Sequence, residues 1–150
     1  MAAGDSKLAQ QYPLQAGNGE YNNSTDTFRI YFLSDQYSNI DAAQAPFNLS
    51  DVTQVGGGNF PIGGIVLTGV TWSRLGAVSI LDYNDLATIV KDPANPATIK
   101  SAAIVNDTST NDDIYKIIDL TVDDITAIDV INNDFDYAVN ASGSVTGTVV

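Results

Sequence analysis

The chain carries eighteen acidic residues, and seventeen of them are aspartate; Glu20 is the sole glutamate. That imbalance constrains the fold more than any other feature. Glutamate is a good helix former, whereas aspartate and asparagine compete with the backbone for hydrogen bonds and so favour turns and caps. Thirteen asparagines and twelve glycines push in the same direction. The expected molecule is all-β: many short strands joined by polar turns, with little helix. At 150 residues with 44% hydrophobic content, the chain has the size and core-forming material of one domain.

Apolar periodicity places the strands. In "TDTFRIYFLS", Phe28, Ile30 and Phe32 alternate with Thr27, Arg29 and Tyr31, as in a half-buried strand. Residues 35–59, "DQYSNIDAAQAPFNLSDVTQVGGGN", hold no periodicity. A connection of that length points to a binding loop or to one hiding a short helix. "FPIGGIVLTGVTWSR" reads as a buried strand from about Ile62 to Arg74, near-continuously apolar, with Gly69 marking a bulge or a close backbone approach. "AVSILDYNDLATIV" fits two strand segments bent at Tyr83–Asp85, or one strand running into a helical turn capped by Asn84. "KDPANPAT" is a loop, since its prolines lack ladder donors. "IKSAAIVND" and "DIYKIIDLTVDD" are the next strands, joined by the polar "NDTSTND". In the second, Ile114, Ile118, Leu120 and Val122 share one face. Phe135, Tyr137 and Val139 share a face of "FDYAVNA", and "SGSVTGTVV" closes the chain.

Seven or eight mostly antiparallel strands spaced by turn clusters predict a single-domain β-sandwich or barrel over residues 26–150. Residues 1–25, rich in Gln, Gly, Asn and Ser, predict an irregular N-terminal arm ordered against a neighbour. Phe28, Phe32, Trp72, Phe135 and Tyr137 belong to predicted strands and so to the core. Tyr12, Tyr21, Tyr37 and Phe47 fall in the arm and the long loop, which makes them candidates for contact with another subunit.

The sequence offers little chemistry. Without histidine or cysteine, most nucleophile–base pairs, thiolate sites and disulfides lose their usual members. No serine stands in an activated frame such as G-x-S-x-G, and Gly56–Gly58 lacks the lysine of a phosphate loop. The expectation is a protein that is not an enzyme and takes no cofactor. Two acidic runs, Asn106–Asp113 and Asn132–Tyr137, hold oxygens that calcium could use. Neither has EF-hand order, turn chemistry accounts for both, and no metal is expected. Asp123 and Asp124 read as a solvated strand end.

The formal net charge is −12, and the six basic residues (Lys7, Arg29, Arg74, Lys91, Lys100, Lys116) are scattered. That argues against nucleic acid and against anionic membrane surfaces. No apolar run approaches the about 20 residues that cross a bilayer. The N-terminus has no basic end followed by an apolar core, so synthesis in a cytosol is expected.

The order of motifs resembles that of small virion structural proteins of tailed bacteriophages. The resemblance rests on "DTFRIYF" (26–32), "IGGIVLTGVTW" (62–72), "LDYNDLATI" (81–89), "AAIVNDTSTNDDIYKIIDLT" (102–121) and "FDYAVNASGSVTGTV" (135–149). It runs from about residue 26 to the end and departs in the N-terminal arm and the "KDPANPATIK" connection. It implies a decoration or cement protein on the capsid exterior, made in the host cytoplasm. The partner would be the major capsid protein, with a homo-oligomer, trimer favoured, as the assembled form. The alternatives are a tail or neck adaptor and, from another class, a glycan-binding host-surface module.

Overall fold

A computed structural model of the chain describes residues 3–75, 78–139 and 145–150. The protein is all-β and antiparallel, built from a five-stranded sheet and two two-stranded ribbons; no closed barrel forms. Nine strands occur among the described residues: β1 (Ser6–Leu8), β2 (Phe28–Leu33), β3 (Ile65–Val66), β4 (Thr71–Leu75), β5 (Val78–Asp82), β6 (Ser101–Asn106), β7 (Asp113–Asp119), β8 (Phe135–Val139) and β9 (Val145–Val149). The one α-helix among the described residues, α1 (Tyr12–Gly17), carries Pro13 in its first turn, where the missing N–H costs nothing. None of the described helices is long and apolar enough to cross a membrane.

The large sheet runs β1-β7-β6-β2-β3. β2 is the alternating segment that the sequence marks most clearly, and it pairs with β6 along its whole length, Phe28 with Asn106 through Leu33 with Ser101. Between β6 and β7 the register slips: Ile104 pairs with Lys116 but Val105 with Ile114, which makes Tyr115 the extra residue of a bulge. The slip puts Ile114 beside Val105 and Ile118 beside Ala102, on opposite faces of the sheet. The common face expected for Ile114, Ile118, Leu120 and Val122 is therefore broken, and Val122 lies beyond the strand, exposed.

The ribbons β4–β5 and β8–β9 cover one face. Their rings meet those of β2: Trp72 lies 6.1 Å from Phe28, and Phe135 lies 6.1 Å from Phe32, centroid to centroid. Phe60 joins them, edge-on to Phe32 at 4.8 Å. Edge-to-face contacts of this kind add about 0.5–1.5 kcal/mol each beyond their burial. Long-loop residues cover the opposite face. Lys7, in register with Ile117, donates its ammonium protons to the carbonyls of Tyr37 and Ile40.

The predicted strand over 62–74 is in fact two strands in two different layers. β3 pairs with β2 in the large sheet, while β4 pairs only with β5. Gly69 makes the change of layer possible. Its φ is +63°, and a Cβ there would fall 2.5 Å from Asn84 Oδ1, so both the turn and the close approach require glycine. Ile62 and Val66 are exposed, which removes the reading of a strand buried on both faces. Neither fit for residues 77–90 holds in full: β5 ends at Asp82, no helical turn follows, and in place of a second strand Ile89 makes an isolated bridge to Phe135. The long connection holds two single 3₁₀ turns, at Tyr37–Asn39 and Leu49–Asp51. Residues 76–77 lie outside the described residues, as do 140–144, which include the end of "FDYAVNA" and the start of the closing segment.

Candidate interaction surfaces

The four aromatics expected to face another subunit are buried in their own chain: Tyr12 is 3%, Tyr21 6%, Tyr37 8% and Phe47 1% exposed. Tyr12 stacks on Tyr21 at 4.4 Å and meets Tyr115 edge-on at 4.8 Å. Tyr37 lies under the Lys7 ammonium, 4.4 Å from the ring centroid. Phe47 is held by its backbone: Gln11 Nε2 donates to its carbonyl at 2.6 Å, and its N–H donates to Gln11 Oε1 at 2.9 Å.

Residues 3–25 are thus not a free arm. β1 extends the sheet beside β7, the Ala9 N–H donates to the carbonyl of the bulged Tyr115, and Gln11 fastens the long loop. The correction has a physical reason. These contacts join a three-residue strand, one backbone bond and one side chain to segments more than 30 residues away, and such contacts leave no periodicity in a sequence.

Most aspartates accept hydrogen bonds, some within their own turn and others from distant segments. Asp123 Oδ1 accepts from the N–H groups of Ile125 and Thr126, and Oδ2 from the Thr126 hydroxyl. Those donors, the hydroxyl above all, lower its carboxyl to about 2. Asp124 departs from the solvated reading: it is buried, and its carboxylate accepts from the Ser38 N–H. In the first acidic run, Asp107 pairs with Arg29 at 2.8 Å, and Asn106 donates to Asp26 at 2.7 Å. In the second, Asp134 accepts from the Lys91 N–H and Asp136 from the Thr88 hydroxyl. Among the described residues, no group of three His, Cys, Asp or Glu is placed to hold a metal ion.

Trp72, the ring on which a sugar could stack, packs half-buried against Tyr115 at 5.4 Å and Phe28. Two exposed valines stand on the walls of cavities elsewhere: Val90 on one of about 330 Å³ that Ile65, Leu86 and Ile89 also line, and Val122 on a larger one, about 490 Å³, between Leu120–Val122, Thr126–Ile128 and Thr146–Val149. A third cavity, about 330 Å³ and lined by polar side chains, opens beside the 108–113 turn. Nothing in the sequence pattern marks these places, because each joins segments far apart in the chain.

Burial sets the alkaline limit of the fold. All seven tyrosines are held above the usual phenol value, with burial the largest cause in each; Tyr115 is raised to about 12. Above about pH 10 the unfolded chain releases phenolic protons that the folded chain keeps. The unfolded state then binds fewer protons, so stability falls as pH rises, by up to about 1.4 kcal/mol per pH unit for each buried phenol. Near-ultraviolet titration is expected to show the phenolate signal displaced above its usual pH. A steep rise should follow at higher pH, coincident with loss of the β-sheet circular dichroism. A tyrosine ionising reversibly near pH 10 in the folded protein would contradict this.

No protein-family model, no curated protein and no solved structure matches the chain.

Proposed function

We propose that this chain is a non-enzymatic virion structural protein that decorates the exterior of a phage head and stabilises contacts between major capsid subunits. The observation that carries the reading is the placement of exposed Val90 and Val122 on the walls of two largely apolar cavities, on a chain whose net charge is −12. A strongly acidic surface keeps such a protein dispersed at high copy number and away from packaged DNA. Apolar surface left exposed on it marks protein contact.

On this reading the docking role expected of residues 1–25 falls to the surfaces around Val90 and Val122, because the N-terminal aromatics are buried in their own chain. Several weak contacts per oligomer, a trimer for instance, then add through effective concentration. The resemblance in motif order supplies the phage context; the geometry supplies the contact surfaces.

Quantitative mass spectrometry of particles released by cells carrying this gene tests the proposal. A shell decoration is expected in hundreds of copies per particle. A ring of about six to twelve copies would move the protein to the tail or neck. Absence from the particles would overturn the virion reading.

A further inference from the structure

The β8–β9 ribbon leaves one strand edge without a ladder. Just past the strand ends, Asp134 and Val150 exchange N–H and carbonyl bonds at 2.9 Å. Alternation from that pair makes Thr148 and Thr146 the β9 residues bonded to β8, and turns the backbone polar groups of Val145, Gly147 and Val149 outward. The far side of β8 follows the same alternation, since Phe135 and Tyr137 bond there to Ile89 and Leu86. Among the described residues, no hydrogen bond reaches the outward groups of Gly147 and Val149. At the Val145 end the edge is closed by Gly4, whose backbone lies against the Val145 carbonyl. The open part forms one wall of the 490 Å³ cavity, and Leu120–Val122 and Thr126–Ile128 form the opposite wall. Gly147 has no side chain, so what it contributes to that wall is backbone. Proteins guard such edges with a lysine, a proline or a bulge, and Val145–Val149 holds none of these.

We infer that this groove takes an extended segment of a partner protein, which adds to β9 as a further strand. Its N–H and carbonyl groups meet those of Gly147 and Val149 from about 4.8 Å away, and the pairing occupies about three to five of its residues. A residue placed opposite Gly147 shares its face, on which a Cβ at Gly147 would meet Leu120. The lining sets the chemistry of the segment. No charged residue lines the groove, so a charge seated there would lose water without gaining a counter-ion, and β-branched apolar side chains suit it. Basic residues suit its two ends, where it emerges over a chain of net charge −12. The far wall argues against a second copy of this chain as occupant. Each copy carries its own 120–128 segment beside its own β9, which holds two folded β9 edges apart, whereas a segment free on both flanks enters. The groove is the Val122 surface of the proposed function. The inference rests on that reading for the existence of a partner, and names what the partner presents.

Amide hydrogen exchange and chemical shifts of the full chain are the test, with acetyl-KVTVTVK-amide as the probe. In the free protein the Gly147 and Val149 amides are expected to exchange at least about tenfold faster than those of Thr146 and Thr148. The peptide should bind with a Kd on the order of 0.1–1 mM, shift residues 120–128 and 146–150, and at saturation slow Gly147 and Val149 at least about tenfold. The same peptide with its three valines N-methylated keeps every side chain but loses the donors that face β9. It should bind at least about tenfold more weakly. Val149→Pro removes an outward N–H and none that faces β8, and should weaken the unmodified peptide at least about tenfold. Val122→Asp, at a wall position that is 81% exposed, leaves the core intact and should weaken it likewise. Absence of saturable shifts, or equal binding by the N-methylated peptide, would overturn the inference. So would self-association of the free chain that slows Gly147 and Val149, since a second copy would then hold the groove. Particle composition is unaffected by any of these results, so failure of the groove and failure of the virion reading are told apart.

Discussion

Deleting residues 1–25 is expected to abolish cooperative folding, well beyond removing a contact arm. The deletion strips β1 from the edge of β7, so the Ser6–Leu8 pairing with Lys116–Ile118 is lost. It removes the buried Ala9, Gln11, Tyr12 and Tyr21 from the core. With Gln11 gone, both backbone polar groups of Phe47 lose a buried partner. With Lys7 gone, the Tyr37–Ile40 turn is no longer tied to the sheet. Two buried tyrosines and the clasp together represent about 5–10 kcal/mol, against the about 5–15 kcal/mol that a whole domain commands. Thermal melting followed by circular dichroism should show no cooperative transition for residues 26–150. A sharp melt within a few degrees of the full chain would refute the account and return these residues to the role of a free arm.

Phe135→Ala is expected to destabilise the protein by about 3–5 kcal/mol, the range for emptying a fully buried phenylalanine site. Phe135 is where the β8–β9 ribbon meets the large sheet, within 6.1 Å of both Phe32 and Phe60 and 6.5 Å of Tyr137. Its backbone is bonded in both directions to Ile89, N–H to carbonyl at 2.9 Å each way. Those bonds survive the substitution, so the loss isolates the ring. Urea denaturation should show the midpoint falling with little change in slope, and Phe135→Leu should cost less than half as much. Equal stability of Phe135→Ala and the unaltered chain would mean that the ribbon is not packed on the sheet.

The parts of this fold that could be read from the sequence are those in which one residue's neighbour in space is also near it in the pattern. Alternation in Phe135–Tyr137–Val139 tracks burial, because a strand has a period of two; in β2 it marks the strand, although five of the six residues there are buried and both faces are covered. The wealth of aspartate and asparagine reads correctly as turns, as the bonds within Asp123–Thr126 and Asp129–Asn132 bear out. Elsewhere a single residue breaks the period. Gly69 divides one apolar run between two layers, and the bulge at Tyr115 turns Ile114 away from Ile118. The N-terminal segment was opaque for another reason: its order comes from Gln11 and Lys7 reaching backbone 30 or more residues away. The groove beside β9 brings Leu120–Val122 against Thr146–Val149, and no spacing rule could have pointed to it.

The two flanks of the large sheet, β1 and β3, are only three and two residues long. Each therefore presents almost no ladder of unpaired backbone groups to a second molecule, and growth by adding strands end over end has no template on either side. The large sheet is thereby a poor template for edge-to-edge pairing.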